Sequence, residues 1–209
     1  VYCSPEHRFG SDALLLARFC EPKRAQKAAD LCSGCGIVAL DGTTAATAAL
    51  HSWRLQARGQ ALWLSAAVQE QGHRHIEPVC ADLRAFRQAR AVLTCVRAIR
   101  PISRMGPSQN AAHALARHEN TCTLDDVCQC AFRLLKDGGR FALCHRPERL
   151  AEVLAVLRAN RLEPKRLAFV EQGGRRAMAL PCGSAEEPQD RPAGGPDVLI
   201  SAGAALYGR

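Results

Sequence analysis

The sequence predicts one α/β domain built on a doubly wound, mostly parallel sheet with an antiparallel hairpin at its edge. Three observations carry this. A short apolar run at residues 28–31 feeds straight into the turn Cys32-Ser33-Gly34-Cys35-Gly36 and then into an apolar stretch from Ile37. Strand, glycine turn and helix in that order open a doubly wound fold. Short apolar runs then alternate with stretches of helical period. Finally, residues 165–171 and 175–181 flank Gln172-Gly173-Gly174, which reads as two strands joined by a tight turn.

The elements follow in order. Residues 11–20 form an amphipathic stretch whose apolar face takes in Leu14, Leu15, Ala17 and Phe19. Residues 41–54 have no clear period. A helix is predicted over residues 60–71, with Leu62, Leu64, Ala67 and Val68 on its apolar side, and Gly72 ends it. Strands are predicted at residues 76–80 and 91–95, followed by a basic loop over residues 96–109. Thr123-Leu124-Asp125-Asp126 is a capping box with Asp in place of Glu, and Leu124, Val127, Ala131, Leu134 and Leu135 recur at helical spacing behind it. Asp137-Gly138-Gly139 is expected to stop that helix, and residues 140–145 to form a strand. Pro147 opens a further helix with Leu150, Val153, Leu154 and Leu157 as its buried stripe. The domain is expected to fill residues 1–182, leaving 183–209 as an irregular Pro/Gly-rich tail.

Composition narrows the class. The chain has 209 residues, 47% of them apolar, which suits one domain with its own core. No stretch is apolar for long enough to cross a bilayer and no charged-then-apolar leader opens the chain, so a monomeric cytoplasmic protein with no membrane partner is expected. The net charge of +8 favours a polyanionic partner, since each neutralised phosphate releases counterions. The eleven cysteines are scattered, odd in number and mostly flanked by apolar residues. That pattern fits reduced thiols, not a disulfide framework, and no metal site is expected.

A family resemblance rests on ordered blocks of residues. Arg8-Phe9-Gly10-Ser11-Asp12-Ala13-Leu14 and Asp30-Leu31-Cys32-Ser33-Gly34-Cys35-Gly36 come first. Ala116-Arg117-His118-Glu119, Leu134-Leu135-Lys136-Asp137-Gly138-Gly139-Arg140 and His145-Arg146-Pro147-Glu148-Arg149-Leu150 follow in the same order. Together they resemble the bacterial tRNA (adenine-N6)-methyltransferases that modify an anticodon-loop adenine of a valine tRNA. The resemblance implies a single Rossmann-like domain, S-adenosyl-L-methionine as cofactor and tRNA as partner. It places the cofactor against the first glycine turn, with Asp30 ordering the loop and Ser33, Gly34 and Gly36 passing under the methionine and ribose parts. Asp82 and Leu83 hold the adenine, Arg8 and Asp12 belong to the segment that folds over the cofactor, and Arg117 and His118 lie toward the RNA. On local pattern alone, Asp82 reads equally as a helix cap or turn residue, and Gly34 and Gly36 as ordinary left-handed turn positions.

The chain departs from that family at three places. Cys32 stands where relatives carry the first glycine of the loop, a residue that fits if its φ is negative. Arg54 stands where relatives carry an acid for the ribose hydroxyls, and Arg cannot accept a hydrogen bond. Losing such a charged acceptor costs about 1.5–3 kcal/mol. The Asn-Pro-Pro-Tyr run expected after the fourth strand is absent from residues 96–103, so no catalytic residue is assigned. A methyltransferase fold that binds RNA without turnover is therefore the alternative. Two further readings come from the cysteines: a thiol oxidoreductase using Cys32 and Cys35 at a helix start, and a zinc site from Cys32, Cys35, Cys128 and Cys130.

Overall fold

The computed structural model describes residues 10–20, 27–33, 36–45, 50–54, 68–70, 72, 76–86, 93–99, 122–172, 175–185 and 197–198. Its elements are α1 (Ser11–Cys20), β1 (Ala28–Leu31), α2 (Ile37–Ala45), β2 (Leu50–Arg54), β3 (Ile76–Cys80), β4 (Leu93–Ile99), α3 (Leu124–Leu134), β5 (Leu135–Cys144), α4 (Leu150–Ala159), β6 (Leu162–Gln172), β7 (Arg175–Ala185) and β8 (Asp197–Val198). The strands form one sheet in the order β3-β2-β1-β4-β5-β7-β6-β8. The first five run parallel to one another, and β7 is antiparallel to both β5 and β6. The expected doubly wound sheet with an edge hairpin is thus present, the hairpin being β6 and β7. The chain order reverses between β1 and β4, which makes their carboxyl ends the switch point where such sheets leave a crevice.

Side chains alternate across the sheet and divide the core in two. On one face, α3 and α4 cover Ala29, Leu31, Val96, Ala98, Phe141 and Leu143. On the other, Leu16 of α1 and Leu40 of α2 pack with Ala28, Cys95, Ala142 and Cys144. The buried face of α1 is Ala13, Leu16 and Ala17, whereas Leu14 and Leu15 are only half-buried. The expected stripe was displaced by one position because Ala13 and Ala17, with little apolar surface, carry the close contact to α2.

Thr123 caps α3 as its sequence suggests. The Asp126 amide donates to Thr123 Oγ1 at 3.1 Å, and the Thr123 amide donates to Asp126 Oδ2 at 2.7 Å. Helix α3 ends at Leu134, ahead of the expected stop, and passes directly into β5. Residues 136–139 are instead a bulge: Leu93 pairs with Leu135 and Cys95 with Arg140. Gly138 takes φ +68°, and a Cβ on Gly139 would lie 2.7 Å from the Lys136 carbonyl oxygen. Pro147 begins a single 3-10 turn before α4, in which Val153 and Leu157 are buried and Leu150 and Leu154 half-buried.

Two boundaries move. The fourth strand, described over Leu93–Ile99, runs on past its expected end at 95, so Val96, Arg97, Ala98 and Ile99 belong to the sheet and not to the basic loop. The tail is not irregular from 183 onward: β7 continues to Ala185, and β8 pairs parallel with β6 at Arg166 and Leu167. Gly183 is a strand residue because β6 comes close, the Leu162 carbonyl oxygen lying 3.1 Å from where its Cβ would be. Residues 41–54, without period in the sequence, hold the end of α2 and all of β2. Of the helix predicted over 60–71, residues 68–70 are described and helical, with Val68 buried. No helix among the described residues is long and apolar enough to cross a membrane.

Candidate functional site

The carboxyl end of β1 gathers the largest share of the expected site. Asp30 is the penultimate residue of β1 and is buried. Cys32 and Ser33 follow, the Gly36 amide donates to the Ser33 carbonyl at 2.7 Å, and the Leu40 amide donates to Gly36 at 2.9 Å. This turn swings the chain from strand to helix within five residues. Gly36 has φ +79°, the left-handed conformation that glycine adopts without a steric cost. Gly34 and Cys35 lie outside the described residues, as do Arg8, Arg117 and His118.

Cys32 has φ +57°, against the expectation that a cysteine fits there with a negative φ. The turn itself demands the left-handed conformation, so the Cβ is carried at a cost of about 1 kcal/mol. Cys32→Gly is expected to stabilise the fold by about 0.5–1 kcal/mol, measured as a rise in the urea midpoint at unchanged slope. A lower midpoint would show that the Cys32 side chain contributes more by packing than its backbone loses.

Asp82 lies just past the carboxyl end of β3, two strand spacings from β1, or about 10 Å along the sheet. Its Oδ1 accepts the Arg84 amide at 2.9 Å, and its Oδ2 accepts Arg84 Nη2 at 2.6 Å. Its carbonyl oxygen accepts the Phe86 amide at 2.8 Å. Asp82 is therefore a turn residue whose carboxylate is already held, and the hydrogen bonds from the Arg84 side chain and amide keep that carboxyl below its ordinary range. Leu83 is buried in the core under α3, and its carbonyl oxygen accepts Arg133 Nη2 at 2.8 Å. Its side chain belongs to that cluster, and its backbone to the turn after β3. Asp12 sits in the first turn of α1, near enough to the end of β5 for its charge to add to the burial that pushes the Cys144 thiol up to about 12.

Arg97 is a buried charge that sequence reasoning missed. It occupies β4 directly beside Asp30 on β1 and is completely buried. Its Nε and both Nη atoms have no hydrogen-bond partner, nor does either carboxylate oxygen of Asp30. Burial raises the Asp30 carboxyl to about 7; the Arg97 charge and the Ala39 amide pull it back down, neither forming a hydrogen bond of normal geometry to it. The cue was available in the apolar residues on either side of Arg97, which read more naturally as one continuous strand. Arg54 is the last residue of β2, beside Cys80 of β3, which agrees with its expected strand-end position. Among the cysteines, Cys128 and Cys130 are both buried in α3 within the core.

Compared by sequence, the chain matches no protein-family model and no curated protein. Compared by structure, it is similar to a predicted O-methyltransferase from Agrobacterium tumefaciens, with a TM-score of 0.67 and 17% identity over 91% of this chain and 85% of that one. It is also similar to geranyl diphosphate C-methyltransferase from Streptomyces coelicolor, solved with Mg2+, geranyl diphosphate and S-adenosyl-L-homocysteine, at a TM-score of 0.63 and 13% identity over 84% and 80% of the two chains. A third similar structure is the [4+2]-cyclase SpnF, at 0.64 and 14% over 83% and 79%. The chain therefore has the Rossmann-like fold that these methyltransferases share with a cyclase.

Proposed function

We propose that this chain is an S-adenosyl-L-methionine-dependent methyltransferase acting on RNA, with an adenine amino group of tRNA as the methyl acceptor. The observation that carries the reading is the turn after β1: a buried Gly36 in the left-handed conformation, at the switch point of a sheet shared with methyltransferases. One of those neighbours was solved with S-adenosyl-L-homocysteine, the product of the same cofactor. The choice of tRNA rests on the sequence resemblance and on the net charge of +8.

The residues present fit the cofactor in part. Ser33 and Gly36 offer the backbone of a tight turn at a helix start, and Asp82 offers a carboxylate once Arg84 yields it. The end of β2 offers Arg54 in place of an acceptor. S-adenosyl-L-methionine supplies an electrophilic methyl group when bound. The protein's task is to hold an acceptor in line with it and keep water away, so that positioning accounts for much of the rate.

Calorimetric titration with S-adenosyl-L-homocysteine tests the reading first. Micromolar binding, followed by methyl transfer to unmodified tRNA, is the expected result. Binding without transfer, or no binding by a chain shown to be folded, favours the second reading, an RNA-binding methyltransferase fold without turnover. The absence of an Asn-Pro-Pro-Tyr run from residues 96–103 supports that alternative, and the cyclase neighbour shows the fold serving a different reaction.

A further inference from the structure

The turn after β3 is fixed in its backbone and loosely held at one side chain. The Ala85 and Phe86 amides donate to the Asp82 carbonyl oxygen at 3.1 and 2.8 Å, and the Arg84 amide donates to Asp82 Oδ1 at 2.9 Å. From α3, Arg133 Nη2 reaches across to the Leu83 carbonyl oxygen at 2.8 Å, and the Leu83 side chain is buried in the core. Four hydrogen bonds and a core anchor thus set where the Asp82 carboxylate stands. The Arg84 guanidinium is held differently. Its side chain is 55% exposed and forks onto that carboxylate, Nε donating to the two oxygens at 3.1 and 3.2 Å and Nη2 to Oδ2 at 2.6 Å. An exposed pair of this kind yields little net attraction, because water competes for both ends. A second acid, Asp126 in the first turn of α3, stands near enough for its charge to act on Arg84.

We propose that Arg84 is an autoinhibitory latch, which covers the Asp82 carboxylate in the ligand-free chain and swings toward Asp126 when a ligand's N–H group takes its place. The turn keeps its shape without the guanidinium, since its backbone bonds and Arg133 hold it. The contact also displays what the carboxylate accepts, which is N–H donors directed at its two oxygens. Exchanging one exposed acid for another leaves Arg84 close to balanced between two positions. The apparent affinity for the ligand is then lowered by the share of molecules in which the latch is closed. On the methyltransferase reading above, on which this inference rests, the ligand is S-adenosyl-L-methionine. The latch sets how tightly the chain holds it.

Titration of the full-length chain with S-adenosyl-L-homocysteine tests the latch, because this probe carries no net charge and responds little to the overall charge of a variant. Arg84→Met and Arg84→Ala remove the guanidinium and keep the amide that orients Asp82 Oδ1. Since the side chain is exposed, neither variant disturbs the core. Both are expected to bind the probe about three- to fivefold more tightly than the wild type, the gain from losing one exposed competing pair. Unchanged or weaker binding by either variant overturns the latch and leaves the methyltransferase reading standing. Binding by the variants alone, with the wild type below detection, upholds both. If no form of the chain binds, the methyltransferase reading fails and the latch falls with it.

Discussion

Arg97→Met is expected to make the ligand-free chain about 1–4 kcal/mol more stable at pH 6, read from urea unfolding. Removing a buried arginine usually destabilises, because its partner is left behind as an uncompensated charge. Here the partner is Asp30, whose buried carboxyl titrates at about 7, so at pH 6 it is largely protonated and asks for no counterion. The guanidinium makes no hydrogen bond to repay its lost hydration. Methionine fills a similar volume beside Cys95 and Ala142 with no charge to desolvate. A loss of about 3–5 kcal/mol would instead be the signature of a tightly paired ion pair broken on one side, and would refute this account.

Stability should also fall as pH rises from about 4 to about 7, by up to about 1.4 kcal/mol per pH unit from Asp30 alone. The folded-state carboxyl is raised from 3.8 to about 7, so between those values the folded chain holds a proton that the unfolded chain has released. Stability from this group is therefore fully present below the lower value and lost as pH climbs through the upper one. Burial is the main cause, and the opposing pull of Arg97 is the smaller effect. Asp30→Asn, which resembles the protonated form, should flatten the profile over this window and be the more stable protein at pH 8. Parallel profiles for the two proteins would mean that Asp30 is solvated or paired in solution.

Much of the architecture was legible where local signals agreed. The Ala28–Leu31 strand, the turn after it, the Thr123 cap and the final hairpin each combined a period with punctuation, and each formed where expected. The misplacements share a physical origin, which is that tertiary pairing overrides composition. A single arginine in an apolar run looked like the beginning of a basic loop, yet β1 and β5 on either side of β4 draw residues 96–99 into the sheet. Glycines at 138, 139 and 183 read as stops, but two of them permit backbones to approach inside the sheet. Asp30 and Gly36 lie where the resemblance puts them, at the end of β1 and in the turn after it, because both positions follow from the local backbone. Local period announces neither the hold of Arg84 on the Asp82 carboxylate nor Arg97, whose strand neighbour Asp30 is 67 residues away in the chain (30 to 97).

The cysteines bear on how this protein can be watched as it opens. Cys95, Cys128 and Cys130 are wholly enclosed, Cys122 and Cys144 nearly so, and none is bridged. Burial pushes the Cys128 and Cys144 thiols up to about 12, far from the thiolate that alkylating reagents attack. Two of these thiols lie on the outer helix α3, and the others on central strands or next to the cap. The chain thus carries its own clocks, spread through both layers of the core, each silent while its surroundings stay closed and each started when that region admits water.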